Sequence, residues 1–290
     1  GAFLNDTMNQ ARKELQMECD YEREAQCQRR FKALLQEAVQ EEERRMKTDG
    51  DQSFFHPPFS ALYVPDVIDE LSTKRVLTTE LIHGFSIDNL QNADDETRDY
   101  VSRLILKLCL HELFVFRFMQ TDPNWSNFFY DPKTKRINLI DFGACLELPK
   151  SFIDQYIRVV YASATRDQDT LIDASIKMGF LTGDETQGMF DAHAAAAMLV
   201  GEPFSREGIF DFKRNTMPEK VTAILPTMVK HRLTPPPPVT YSLHRKLSGA
   251  FLLCYKLKAS IPCRDIFMDV YQRYHSDLNS STSSLESSHK

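Results

Sequence analysis

The chain has 290 residues, 42% of them hydrophobic and 26% charged, which is long enough to bury one sizeable core beside a reduced second lobe. Its formal net charge of -6 argues against a general nucleic-acid binder, because such proteins need a basic surface for the phosphate backbone. No stretch reaches the roughly 18 uncharged apolar residues that crossing a bilayer requires.

In chain order, Asn5 to Lys47 has a helical pattern and is heavily charged. It ends in Glu41-Glu42-Glu43-Arg44-Arg45, which reads as a solvated helix end. Thr48 to Tyr63, with Gly50 and Pro57-Pro58, is predicted as a surface loop anchored by Phe54 and Phe55. Val64 to Ile82 is predicted to supply two strands, and the helical bulk begins near Asp94. Leu104 to Met119 is apolar at helical spacing, interrupted by Lys107, His111, Glu112 and Arg117, so it is predicted to be a core helix. Phe128-Phe129-Tyr130, the turn Asp131 to Lys135, and Ile137 to Ile140 predict a hairpin.

Thereafter the pattern is almost entirely helical: Phe152 to Ala164, Asp167 to Met178, Asp184 to Val200, Pro218 to Lys230, Tyr241 to Ala259 and Arg264 to Tyr274. Pro235 to Pro238 forms a stiff connector. Ser276 to Lys290 is serine-rich, short of apolar residues and predicted to be disordered. Within Tyr241-Ser242-Leu243-His244-Arg245-Lys246, the spacing of Leu243 and Leu247 predicts a packed helix face with the cations outward. Six cysteines, at 19, 27, 109, 145, 254 and 263, show no C-x-x-C pair and no histidine at metal-ligand spacing, which disfavours structural zinc. Cys109 and Cys254 fall in apolar helical patterns and read as inert core thiols.

The chemistry concentrates in Asp122-Pro123-Asn124-Trp125-Ser126-Asn127, followed by Asp141-Phe142-Gly143. Phosphoryl transfer from a nucleotide needs an aspartate to orient or deprotonate the attacking oxygen. It also needs a neutral oxygen ligand five residues on and a second aspartate after a hairpin to hold Mg²⁺ against the phosphates. Asp122, Asn127 and Asp141 supply these groups in that order. Mg²⁺ prefers oxygen ligands and is commonly held by one or two carboxylates plus phosphate, so Asn127 and Asp141 form its candidate pair and Asp122 is left for the nucleophile. Either motif alone commonly marks a turn with capping side chains. Joined by a helix before and a hairpin between, they predict an Mg-ATP site.

These runs, with Glu14-Leu15-Gln16-Met17-Glu18-Cys19-Asp20-Tyr21-Glu22-Arg23-Glu24-Ala25, Val76-Leu77-Thr78-Thr79-Glu80-Leu81 and the Tyr241 to Lys246 segment, closely resemble the UbiB (ABC1/ADCK) family of atypical kinases, and within it the animal mitochondrial members. The resemblance extends to about Tyr274. It implies an α+β, mainly helical fold: a partial kinase-like N-lobe over residues 1–82, a helical C-lobe with a helical extension over 83–275, and a tail over 276–290. It implies ATP and Mg²⁺ as cofactors, with Asp122 as the catalytic-loop aspartate and Asn127 and Asp141 as metal ligands. Glu24 would be the helix-C glutamate, and Thr79, Glu80, Leu81 and Ile82 the hinge that meets adenine. Glu18 and Asp20 would be the family's Glu-x-Asp pair, facing an N-terminal extension. The family role implied is support of coenzyme Q biosynthesis at the matrix face of the mitochondrial inner membrane, in contact with a lipid or quinone precursor and with other proteins of that synthesis.

The departures from the kinase pattern are specific. Gln120-Thr121 stands where protein kinases have His-Arg, and no Ala-Pro-Glu motif follows Ala144, which disfavours a docking platform for protein substrates. The family's Lys-x-Gly-Gln helix, alanine-rich loop and ATP-anchoring lysine, the partner of Glu24, are expected upstream of Gly1, so the chain reads as N-terminally truncated. Two further readings compete with a kinase or ATPase. One is a small-molecule phosphotransferase of the choline or aminoglycoside type, and the other is a non-catalytic scaffold of the quinone-synthesis complex.

Overall fold

The computed structural model describes residues 19–49, 57–122, 124–214, 233–234 and 237–287. The segments 1–18, 50–56 and 215–232 lie outside them, and with them the predicted anchors Phe54 and Phe55 and the predicted helix Pro218 to Lys230. The chain divides into two compact units, residues 1–104 with 118–147 and residues 105–117 with 148–290. The expected boundary at residue 82 falls inside the first unit, because strands from residues 118–147 complete a sheet begun before it.

The first unit opens with helix α1 (Tyr21–Asp49), whose amphipathic stripe buries Ala25, Gln28, Phe31, Leu35, Ala38 and Glu42. Asp20 caps it, its Oδ1 accepting from the Arg23 N–H at 3.0 Å. The stripe tolerates two polar residues because each has a partner. Gln28 donates to the Pro65 carbonyl at 2.7 Å, and Glu42 accepts from the Phe59 N–H at 2.7 Å.

A four-stranded sheet follows, in the order β1-β5-β4-β2. Strand β1 (Leu62–Tyr63) runs parallel to β5 (Arg136–Leu139), while β4 (Phe128–Asp131) is antiparallel to both β5 and β2 (Phe85–Ser86). The β4–β5 pair is the predicted hairpin, with Asp131 accepting from the Lys133 N–H and the Thr134 hydroxyl inside the turn, and Lys135 in the left-handed region at φ 55°. The two strands expected over Val64 to Ile82 do not form. That segment carries only single bridges, Val67 to Thr79 and Thr73 to Val76. Its β-compatible residues are divided by the short helical turn Asp69–Leu71 and by the tight turn at Lys74 and Arg75, which leave no run long enough to pair.

Helix α2 (Asp95–His111) starts in the first unit and continues into the second, where a π-helical turn, Glu112–Phe116, extends it. The predicted helix Leu104 to Met119 therefore stops early. Arg117 turns left-handed at φ 50°, and β3 (Phe118–Gln120) pairs antiparallel with β6 (Cys145–Glu147) in the first unit. Within the helical part, Lys107, His111 and Glu112 are buried as expected of a core helix.

The second unit is helical, with α3 (Lys150–Thr165), α4 (Gln168–Lys177), α5 (Gln187–Val200), the short α6 (Glu202–Ser205), α7 (Pro238–Lys256) and α8 (Cys263–Ser287). A two-stranded ribbon of β7 (Phe210–Asp211) and β8 (Ser260–Ile261) joins them. Its core is aromatic: Phe114 stacks on Tyr156 at 5.9 Å, and Phe204 stacks on Phe267 at 4.9 Å. Pro238 takes the first position of α7, where a missing N–H costs no hydrogen bond. Two expectations are corrected here. Lys246 does not point outward with His244 and Arg245 but is buried beside Leu243 and Leu247, since i, i+3 and i+4 share one helical face. And α8 continues to Ser287 instead of ending near Tyr274, as a helix nucleated by a packed segment propagates at one hydrogen bond per added residue. No helix among the described residues is long and apolar enough to cross a membrane.

Candidate active site

Strand β3 leads into the loop holding Asp122, and the helical turn Trp125–Asn127 leads out of it into β4. Asn124 caps that turn by accepting from the Ser126 N–H at 3.1 Å, and its own N–H donates to Asp122 Oδ1 at 3.3 Å. Asp141 follows β5 by two residues, with its Oδ1 accepting from the Gly143 N–H at 3.0 Å. Asn127 lies between the two carboxylates. Its Nδ2 donates to Asp122 Oδ2 and to Asp141 Oδ2, each at 2.9 Å. The three residues predicted from spacing thus form one hydrogen-bonded cluster, each side chain half-buried.

The substitution of Gln-Thr for His-Arg finds its explanation here. Gln120 donates through Nε2 to the Asp141 carbonyl at 3.2 Å and accepts from the Asp122 N–H at 2.8 Å, so one amide ties the two acidic segments together. Thr121 donates through its hydroxyl to the Ala144 carbonyl at 2.8 Å, and its N–H reaches the same oxygen at 3.0 Å. Both side chains are buried. The loop is thereby fixed by neutral hydrogen bonds instead of by a buried cation, which would carry a larger desolvation cost.

Helix α1 closes the other side. Glu24 Oε1 accepts from the Phe142 N–H at 3.3 Å. Arg23 donates to the carbonyls of Gly143 at 2.7 Å and Cys145 at 2.5 Å. The Phe31 ring lies 5.2 Å from that of Phe142 and 6.4 Å from that of Phe118. Nothing in the sequence alone marks Arg23 and Phe31 as site residues. Their place at i-1 and i+7 from Glu24 puts them on its side of the helix.

A cleft of about 680 Å³ opens over this cluster, lined by Tyr21, Glu24, Arg75, Val76, Leu77, Asn127, Ile140, Asp141 and Gly143. Glu24, Asn127 and Asp141 are therefore brought together. Thr79, Glu80, Leu81 and Ile82 are not among the lining residues. Thr79 is bridged to Val67, the Glu80 carboxylate accepts from the Tyr63 hydroxyl at 2.5 Å and from the Asp66 N–H at 2.7 Å, and Leu81 is 86% exposed. The turn at Lys74 and Arg75 instead presents Arg75, Val76 and Leu77 to the cleft. Asp20 caps α1, as described above, and Glu18 lies outside the described residues.

The donor set discriminates among metals. Among the described residues no cluster of three or more His, Cys, Asp or Glu side chains is placed to hold an ion, so an all-protein cage is absent there. Two carboxylates and one carboxamide at hydrogen-bonding distance suit a hard cation that takes its remaining ligands from phosphate and water. The Asn127 amide nitrogen occupies the place between the carboxylates. Turning that amide over presents its oxygen there instead.

The ABC1 atypical kinase-like domain family matches residues 1–175. The chain is similar to the protein called "Atypical kinase COQ8B, mitochondrial" of Danio rerio, 46% identical over 274 residues, which cover 94% of this chain and 40% of the relative. The Rattus norvegicus protein of the same name is 43% identical, over 94% of this chain and 48% of its own length. "Atypical kinase COQ8, mitochondrial" of Saccharomyces cerevisiae is 39% identical, over 93% and 50%. The chain thus spans half or less of the length of these relatives. Among solved structures, the Mycobacterium tuberculosis protein Rv3197, determined in complex with erythromycin, superposes with a TM-score of 0.61 at 22% identity, covering 86% of this chain and 57% of that one. That likeness establishes the α+β kinase-like fold alone.

Proposed function

This chain belongs to the ABC1 atypical kinase-like family, and on that premise we propose that it is the nucleotide-site portion of an atypical kinase or ATPase of the UbiB type. It binds Mg-ATP and supports coenzyme Q biosynthesis in mitochondria. The observation that carries the reading is the Asn127 amide held at 2.9 Å from both Asp122 and Asp141. This is the arrangement in which one carboxylate serves the metal and the other the acceptor.

In this reading Asn127, with its amide turned to present the oxygen, and Asp141 would hold Mg²⁺, which would supply charge neutralisation on the phosphates. Asp122 orients a hydroxyl or water by accepting its proton. Gln120 and Thr121 keep Asp122 in register with Asp141, and Glu24 sets α1 against the Asp-Phe-Gly backbone. Val76 and Leu77, which line the cleft, would take the adenine ring, with the expected hinge residues Thr79–Ile82 following them in the chain. The names of the relatives support a mitochondrial location. The matrix face of the inner membrane, and contact with a quinone precursor and with other proteins of its synthesis, are part of the same proposal and follow from the family resemblance.

The test is nucleotide-dependent thermal stabilisation of the chain, since a ligand that binds only the native state raises its apparent stability by mass action. A shift with Mg-ADP that disappears in Asp141→Asn and persists in Asp122→Asn supports the assignment. A well-folded chain with no shift would favour the scaffold reading instead.

A further inference from the structure

Along one edge of the face that fills the core, helix α1 carries a second set of contacts, which shares Phe31 with that face. Arg23, Glu24, Cys27, Arg30 and Phe31 stand at i, i+1, i+4, i+7 and i+8, so they share one side of the helix. Residues 142–147 receive this stripe at almost every step. Arg23 holds the carbonyls of Gly143 and Cys145, Glu24 meets the Phe142 N–H, and Arg30 pairs with Glu147 at 3.1 Å. Cys27 sits at the centre of these contacts, one helical turn beyond Arg23, with its thiol hydrogen-bonded to that of Cys145 on β6. Cys27 is half-buried and Cys145 buried, and none of the six cysteines is in a disulfide.

We propose that Cys27 and Cys145 are a dithiol that a hydroperoxide oxidises to a disulfide, with Cys27 the thiol that reacts first and Cys145 the one that resolves it. The Cys27 thiolate attacks a peroxide oxygen, the O–O bond breaks, and the departing oxygen takes up a proton and leaves as water or an alcohol. Cys27 is then a sulfenic acid. The Cys145 sulfur attacks it, the S–S bond forms as the S–O bond breaks, and the hydroxyl leaves as water with the Cys145 proton. The two thiols together lose two electrons, and the peroxide gains them.

Access and charge favour this order. The partial exposure of Cys27 admits a small oxidant, while Cys145, buried beneath it, is positioned to resolve the adduct. The hydrogen bond from Cys145, with the Arg23 and Arg30 guanidinium groups nearby, lowers the Cys27 thiol from 9.0 to about 7 against the opposing effects of burial and Glu24. Cys109 is the opposite case: burial pushes it up to about 12, and Cys263 is raised by the same cause. A bond between Cys27 and Cys145 fastens α1, which carries Glu24, to the strand that follows Asp-Phe-Gly.

The experiment is a disulfide map of the whole chain after brief treatment with hydrogen peroxide, alkylation under denaturing conditions and proteolysis. The expected result is a linked peptide pair holding Cys27 and Cys145, lighter by two hydrogens than its separate halves and absent after dithiothreitol. In Cys145→Ser the link is lost and dimedone traps Cys27 as the sulfenic acid; in Cys27→Ser neither product forms. The proposal is overturned if both cysteines stay alkylatable while Cys19 oxidises, or if the links formed join other cysteines. The wild-type map decides this whether or not the variants fold. As a second readout, the oxidised wild-type chain should melt at a higher temperature than the reduced chain, and dithiothreitol should remove the difference.

Discussion

Lys246 and Glu112 form an ion pair inside the second compact unit, with Nζ 2.5 Å from Oε2 and side chains only 8% and 1% exposed. Glu112 opens the π-helical turn after α2, where the altered winding places its carboxylate in the core, and Lys246 reaches it from α7. Removing one member leaves a buried charge without its counterion. Lys246→Met should therefore destabilise the chain by about 3–5 kcal/mol, and the double variant Lys246→Met, Glu112→Leu should recover most of the loss. Urea unfolding of the two single variants and the double variant measures this coupling. Additive losses would show that the pair does not act as a unit.

At the metal-ligand cluster the two aspartates should separate by kind of defect. Asp141→Asn is expected to abolish the nucleotide-dependent rise in melting temperature. Asp122→Asn should keep it and lower any turnover by about a hundred- to ten-thousand-fold, the range of a lost general base. Equal loss of binding in both variants would contradict the division of roles. Gln120→Ala should mimic the Asp122 variant in part, by loosening the amide that joins the two segments, and turnover measured in parallel with the melting shift distinguishes the cases.

Glu80 and Tyr63 give a pH signature. The Tyr63 hydroxyl, followed by the Asp66 N–H, holds the Glu80 carboxyl below its usual range, and the same bond to Glu80 raises the Tyr63 phenol to about 12. A carboxyl whose folded pKa is depressed contributes stability above its unfolded value, about 4.3, and loses it as pH falls through the folded value. A phenol raised in the folded state contributes below about 10 and loses that contribution as pH climbs toward its folded value. The difference in melting temperature between wild type and Tyr63→Phe should therefore be largest between about pH 5 and 9 and shrink on both sides. A difference independent of pH would assign the effect to packing.

Two glycines should respond with opposite signs. Gly84 stands at φ 126°, and a Cβ there would lie 2.6 Å from the Tyr130 carbonyl oxygen, next to the Phe85–Tyr130 register of β2 and β4. Gly84→Ala should cost about 1–3 kcal/mol through backbone strain alone. Gly188, within α5, meets nothing within 4 Å, so Gly188→Ala should stabilise by about 0.4–1 kcal/mol by restricting the unfolded chain. Thermal denaturation followed by circular dichroism reads both.

What can be read from the residues alone is local order. The spacing of Asp122, Asn127 and Asp141 and the hairpin between them predict that these three side chains gather, as they do, because each step spans a few residues and depends on periodicity and turn chemistry. Whatever depends on distant partners is set by the folded structure. It turned Lys246 inward, because only the assembled core supplies Glu112. It dissolved the two strands expected over Val64 to Ile82, because a strand needs a neighbour along its length as well as β-compatible residues. It gave Gln120 and Thr121 their scaffolding role through the backbone carbonyls of Asp141 and Ala144, and it brought Cys27 to Cys145 from more than a hundred residues away. No periodicity records such pairings, since the free energy that sets them comes from burial shared between segments that are neighbours only once the chain has folded.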